Sequence, residues 1–314
     1  MKRILTLAIP TYNRGNILDK SLESIVSDLH FDERIEIIIS DNCSTDNTSI
    51  IADKYIKKYS NIVYVRNEKN IGAEMNICNA LLAGTGVYLK LCNDTIKFQK
   101  DALGFMLNTI EKNIEFKKPI FFYQNYSNYN DLDCVCLNFN DFLKTVTFTC
   151  TWIGNFGIWR SDLDEISPLH RNFHTLLMQV DWTFSLASAK GKAIVYFRNY
   201  YDVFSASDKG GYNVFEVFIS NYLSFTRKYY HLKFIDLLAF EIDKYRLFRY
   251  FICIRVVWLA IGYKGITPFN NKNSWSIIFR EYAYYPYFYV GLIVGFVFFY
   301  FIEIKKGLSD FFCK

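Results

Sequence analysis

The sequence predicts an α/β fold, with a mixed, mostly parallel sheet flanked by helices and a helical region at the C-terminal end. Three observations carry that prediction. Short apolar runs alternate with helix-period segments through the first hundred or so residues. Three of those runs end in polar loops that bear acids: Asp41, Glu68 and Asp94. Charge is also divided unevenly: residues 209–314 hold 14 Lys+Arg against 7 Asp+Glu, a net +7, and the preceding 208 hold 22 against 24, a net −2.

The elements follow in order. Residues 4–9 are a first strand, and 16–29 a helix, with Ile17, Leu18, Leu22, Ile25, Val26 and Leu29 at helical spacing. A second strand covers 35–40. A helix over 48–59 starts after Asp46, a natural N-cap. Then come a strand at 62–66, a helix at 73–83 ending near Gly84 and Gly86, and a strand at 87–92. Such alternation builds a parallel sheet by crossover connections. Beyond it, 101–113 reads as a helix and 119–126 as a strand. Segments 148–160 and 193–197 are expected to complete the sheet. Residues 202–212 read as a loop with Ser205, Ser207, Asp208, Gly210 and Gly211. The domain boundary is placed there, dividing the chain into 1–205 and 206–314. Helices are expected at 215–229, 234–263 and 275–282.

At 314 residues the chain can bury an ample core, and 51% hydrophobic with 21% charged residues excludes a disordered chain. No GxGxxG follows the first strand, which argues against a dinucleotide-type Rossmann site. Eight cysteines without CxxC spacing read as free thiols in a reducing compartment, with no zinc site. The first apolar stretch, with Thr6 inside it, is too short for a signal peptide. Residues 282–302 carry no charge, with tyrosines crowding one end. Residues 247–263 are apolar apart from Arg249 and Arg255. Together with the net +7 these stretches point to a membrane surface rather than nucleic acid. In-plane attachment and a full span both suit them, and two buried core helices are the plainer alternative.

In an open α/β sheet, ligands collect at the C-terminal ends of the strands. The residues there are Pro10-Thr11-Tyr12-Asn13-Arg14, Ser40-Asp41-Asn42-Cys43-Ser44-Thr45-Asp46, Asn70-x-Gly72 with Asn76, and Cys92-Asn93-Asp94-Thr95. Four such stretches, in this order and spacing, resemble the family 2 glycosyltransferases with a GT-A fold. Weaker similarity runs through 154–160 and 181–191. Within that family the chain is most similar to the O-antigen sugar transferases that include abequosyltransferases.

The resemblance implies an enzyme that takes a sugar from a nucleotide donor. Asp41 would meet a pyrimidine base, which leaves CDP-, UDP- and dTDP-linked donors open. Tyr12 would lie against that base, and Pro10 and Thr11 would shape the loop. Arg14 would face the phosphates, and Asn70, Gly72 and Asn76 would close over the nucleotide, with Asn93 beside them. It also implies Mg²⁺ or Mn²⁺ held by Asp94, the second acid of a DxD motif. The first acid maps to Cys92, a departure, because a thiol is a poor ligand for a hard cation. The acidic pair that relatives place before a helix ending in Lys-Gly falls on Gln179 and Val180. A slip of one residue puts the general base at Asp181. Without a base there, a retaining route becomes attractive, with Gln179 as a hydrogen-bonding group.

The expected product is a hexose or deoxyhexose, abequose among the candidates, joined to a polyprenyl-diphosphate-linked oligosaccharide. The expected place is the cytoplasmic face of the inner membrane, with attachment through the C-terminal region. A sugar nucleotidylyltransferase is the rival of related fold. A membrane-anchored sugar-nucleotide-binding protein with a decayed site is the non-enzymatic one. His170 and His174 are four apart but lack an HExxH glutamate and follow Pro168, so they read as loop residues rather than metal ligands. Trp152 and Trp182 are candidates for stacking on a sugar, with buried packing the plainer role.

Overall fold

The computed structural model describes residues 2–125, 131–204, 211–262 and 269–312, with side chains up to Tyr300. The chain divides into two compact units, residues 1–207 and 208–314. Residues 205–210, within the segment expected to hold the boundary, lie outside the described residues.

The first unit opens with β1 (Leu5–Thr11), α1 (Gly15–Val26), β2 (Ile35–Asp41), α2 (Thr48–Ile56), β3 (Ile62–Arg66), α3 (Ala73–Leu82) and β4 (Tyr88–Leu91). The apolar runs behave as buried strands: every residue of β2 and β4 is buried. Such two-sided burial belongs to parallel sheets covered by helices. The strand order is β3-β2-β1-β4, all parallel, closed at one edge by the antiparallel β8 (Gly157–Trp159). The chain moves outward from β1 to β3 and then returns to lay β4 on the other side of β1. A gap between loops therefore opens between the ends of β1 and β4, where this class of sheet binds ligands.

The rest of the unit departs from a single mixed sheet. It runs through β5 (Ile96–Phe98), α4 (Ala102–Asn113), β6 (Ile120–Gln124), β7 (Leu132–Cys136) and α5 (Phe139–Val146), then β8, α6 (Met178–Lys190), β9 (Ala193–Arg198) and β10 (Tyr201–Val203). The segments at 119–126 and 193–197 do pair with each other, but in a separate three-stranded sheet, β6-β9-β7. The expected strand over 148–160 is mostly two short 3₁₀ turns, Thr147–Thr151 and Ile153–Asn155. Thr149 and Thr151 turn their hydroxyls back onto the carbonyls of Val146 and Phe148, which offers the backbone an alternative to a ladder. The N-cap of α2 is Asn47 rather than Asp46, although the Asp46 carboxylate does accept from the Thr48 backbone N–H at 3.0 Å.

The second unit is helical: α7 (Tyr222–His231), α8 (Leu237–Leu247), α9 (Cys253–Ala260), α10 (Ser274–Tyr282) and α11 (Pro286–Phe312). A π-helical turn, Phe248–Ile252, joins α8 to α9 and makes them one run, as the pattern over 234–263 predicts. Among the described residues no helix is long and apolar enough to cross a membrane.

Asp243 lies fully buried in this unit and accepts a hydrogen bond from the Tyr222 hydroxyl at 2.8 Å. Burial outweighs the help of Tyr222 and Arg246, and pushes its carboxyl up to about 8. The folded pKa is above the unfolded one, so this group's stabilisation is full below about pH 4 and is lost as pH rises towards 8. The urea midpoint of the intact chain is expected to be higher at pH 5 than at pH 8. Asp243→Asn should shrink that difference; an unchanged difference would show that Asp243 does not set it.

Candidate functional site

The sheet register sets up the site. Thr11 and Asp41 sit side by side on the last rung of β1 and β2, and Ala8 faces Leu91 on β4. The chain after β4 then turns through Asn93 and Asp94. Asp94 is buried, and one of its carboxylate oxygens accepts from the Thr11 hydroxyl at 2.9 Å. The other accepts from the Arg14 guanidinium at 3.0 Å. This bond pair bridges the gap between β1 and β4. A short stretch, Thr11 to Arg14, therefore brings a hydroxyl, a cation and the ring of Tyr12 to one place, and that ring is 43% exposed.

Asp41 lies beneath this surface. It is fully buried, accepts from the backbone N–H and hydroxyl of Ser44, and takes a further bond from the Tyr64 hydroxyl at 2.7 Å. Burial and the Asp41 charge raise the Tyr64 phenol well above its ordinary value, which keeps it a donor. Arg66 stands 3.7 Å from Asp41 and donates to the Ser44 carbonyl at 2.8 Å.

The loop after β3 is tied in by amides. Asn42 donates to Asn70 at 2.9 Å, and its own carbonyl oxygen accepts from the Ile71 N–H. Gly72 starts α3 with φ +87°, a conformation that favours glycine. Asn76 is buried; its NH₂ donates to the Ser40 and Thr11 carbonyls, and its oxygen accepts from the Ser40 hydroxyl and Asn67.

Residues 6–137 match the family model described as Glycosyl transferase family 2. This segment is a family 2 glycosyltransferase domain. Abequosyltransferase RfbV of Salmonella typhimurium is 35% identical over 104 residues, 33% of this chain and 31% of the relative. Glycosyltransferase GlyG of Streptococcus pneumoniae serotype 4 is 24% identical over 133 residues, 42% of each. The chain thus spans less than half the length of these curated relatives. Among solved structures, S. aureus TarS 1–349 in complex with UDP-GlcNAc superposes with a TM-score of 0.60 at 15% identity, over 90% of this chain and 80% of that one. Mannosyltransferase PcManGT from Pyrobaculum calidifontis, in complex with GDP-Man and Mn²⁺, gives 0.55 at 13% identity, over 95% and 87%. At such identities the likeness is one of fold, and the fold is GT-A-like.

Within the glycosyltransferase domain the structure brings Thr11, Tyr12, Arg14 and Asp94 together, next to Pro10, and sets Asp41 just below. Asn70 and Gly72 lie in the loop that leads into α3. Asn76 differs from expectation, because its amide is spent on bracing three strand ends. The Asn93 side-chain oxygen is buried without a hydrogen-bond partner. Cys92 also differs. Its side chain is fully buried in the core of the sheet, and burial pushes the thiol up to about 12. It is neither at the mouth nor a thiolate, so it cannot stand in for the first acid of DxD. Among the described residues no group of three His, Cys, Asp or Glu could hold a metal. Asp94 is the one carboxylate in this cluster suited to a hard cation, and both of its oxygens are engaged by Thr11 and Arg14.

The groups on α6 are engaged with their surroundings. Asp181 is buried and ion-paired with Arg171, whose guanidinium also donates to the Ser185 hydroxyl. Gln179 is buried and donates to the Thr151 carbonyl at 2.6 Å. Lys90 on β4 is buried between the rings of Phe122 and Tyr201 and donates to the Gly154 carbonyl at 2.5 Å. Burial pushes its amine down to about 8. Gln179 and Lys90 together pin the 3₁₀ segment from two sides. His170 and His174 are exposed, and Trp182 is fully buried, with its indole N–H on the Leu169 carbonyl.

Tyr64, Arg66 and Arg171 were not singled out by the sequence reading. The end of β3 gives a usable signal, since two polar-tipped side chains, Tyr64 and Arg66, alternate on a strand that leads into the site. Two outcomes follow for the site. Asn76→Ala removes the bonds to Ser40, Thr11 and Asn67 and should cost about 2–4 kcal/mol in urea unfolding. Cys92→Asp should lower the melting temperature without tightening Mn²⁺ binding in a calorimetric titration. Tighter binding would show that position 92 can reach the mouth.

Proposed function

We propose that the protein is a glycosyltransferase that moves a hexose or deoxyhexose from a CDP-, UDP- or dTDP-linked donor to a polyprenyl-diphosphate-linked oligosaccharide. Abequose is among the candidate sugars, and synthesis of O-antigen or a related surface polysaccharide is the setting. The reading places the protein at the cytoplasmic face of the inner membrane, attached through the C-terminal region. The observation that carries the transferase reading is the Thr11–Asp94–Arg14 cluster across the gap between β1 and β4, with the Tyr12 ring exposed beside it.

In this reading Tyr12 lies against the base; Asp41, which the resemblance also sets against the base, is fully buried with both oxygens taken by Ser44 and Tyr64, and so fixes the loop beneath Tyr12 instead. Arg14 offers its guanidinium to the diphosphate, where fork geometry suits phosphate oxygens. Asp94 orients Arg14 and, with the donor's phosphates, would hold Mg²⁺ or Mn²⁺. When bound, such an ion offsets the charge that builds on the departing diphosphate. Asp181 is the acid assigned to deprotonate the acceptor hydroxyl. That role requires its contact with Arg171 to open, since a base must reach the proton it removes. A second reading, nucleotide-sugar binding without transfer, is favoured by this closed ion pair and by Gln179 in place of an acid.

Turnover with a panel of donors and a lipid-linked acceptor separates the two readings. Asp94→Ala, or excess EDTA, should abolish transfer while the far-UV circular dichroism spectrum is unchanged; full activity in EDTA would remove the metal from the reading. Asp181→Asn should lower turnover by about 10²-fold or more with little change in donor affinity, and the product anomer should be inverted. A retained anomer with a nearly silent Asp181→Asn would remove Asp181 as base.

A further inference from the structure

The helix α11 packs through one narrow face. Phe288 is fully buried, and Gly291 and Gly295 lie against the preceding helical run. A Cβ at Gly291 would fall 2.8 Å from the Phe248 ring, and one at Gly295 would fall 2.7 Å from a Val257 methyl. These two small residues, four apart, let the helix axes approach closely. Such packing needs no apolar effect from water to hold it, and pairs of this kind are common where helices meet in lipid.

The opposite face is bare. Val290, Ile293, Val294 and Val297 are exposed at its centre, with Phe296 and Phe298 at its edges, and Ile293 is 64% exposed. At about 100° per residue, the positions from Phe296 round to Phe298 cover roughly 200° of the helix. No charged residue interrupts this arc, for the chain carries none from 282 to 302. A single partner helix covers a much narrower stripe, and a coiled-coil seam is flanked by charges. Tyrosines stand towards both ends: Tyr284, 92% exposed, and Tyr289 near the start of α11, and Tyr300 beyond the aliphatic and phenyl side chains. Tyrosines flanking an apolar surface are the arrangement found at a bilayer interface.

We infer that this arc of α11 is a lipid-facing surface that lies in the outer part of one leaflet, with the tyrosines at headgroup level. The net +7 of residues 209–314 draws the unit to an anionic bilayer, and the arc then holds it by burying apolar side chains. The inference deepens the membrane attachment in the proposed function and is independent of the sugar transferred.

Flotation of the full chain with vesicles of phosphatidylethanolamine and phosphatidylglycerol tests it. The intact chain should float and stay bound when salt is raised. The double variant Ile293→Asp/Val297→Asp should lose binding by about tenfold or more, because two side chains no longer transfer favourably from water. Leu137→Asp, an exposed apolar position in the first unit, should float as the intact chain does. UDP-sugar hydrolysis by each variant reports on the catalytic unit. If intact chain and double variant float equally, the surface is misassigned although membrane attachment stands. If the intact chain does not float but hydrolyses donor, membrane attachment falls and the transferase reading stands. A vesicle-free dimer that the double variant dissolves would also overturn the inference, since a second copy would then be the occupant.

Discussion

The amide of Asn76 is the constraint on which the site depends. It bonds to the end of β1 through the Thr11 carbonyl, to the end of β2 through both the carbonyl and hydroxyl of Ser40, and to Asn67 just beyond β3. A parallel sheet delivers its strand ends to one edge, but backbone ladders stop there, and loops are free to diverge. One buried side chain with both donors and its acceptor used holds three of those ends in register. The positions of Tyr12, Arg14 and Asp41 follow from that. A site built on loops needs such support, because misplacement by an ångström weakens both binding and chemistry.

A second layer of order is electrostatic. Asp94 carries Arg14 on one oxygen and Thr11 on the other, so the cation is held in place by its own fold. A guanidinium already ordered by a carboxylate loses less freedom on binding than a solvated one. Asp41 follows the same logic from below, with Ser44, Tyr64 and Arg66 arranged round a carboxylate that water does not reach.

Much of this was legible in the sequence, and for physical reasons. Runs such as Ile35-Glu36-Ile37-Ile38-Ile39 are too apolar for an exposed edge, so they report buried strands and the acids at their ends report loops on one rim. Asp94 stands out that way, and Tyr12 and Arg14 through the family resemblance. What sequence patterns do not carry is pairing over long separations. Nothing near Asp181 announces that Arg171 will close on it, and nothing in the Asn76 neighbourhood tells a brace from a ligand contact. Cys92 illustrates the same limit. A motif gives its position in the loop, and only the strand's alternation and packing decide which way the side chain turns. Of the strand expected over 148–160 only Gly157–Trp159 forms one, because threonine before it, a good strand former, also bonds its own backbone.

The burial of thiols in the sheet layer gives the protein a built-in reporter. Cys92 on the end of β4 and Cys78 in α3 are both buried, with their thiols pushed up to about 12. Alkylating reagents consume the thiolate, so these two sulfurs stay silent while the helix and strand remain packed. Cys43 is partly exposed on the loop after β2. Labelling at Cys43 therefore reads access to the rim, and labelling at Cys78 or Cys92 counts how often the layers beneath it come apart, so one reagent in one sample times two different motions of the same fold.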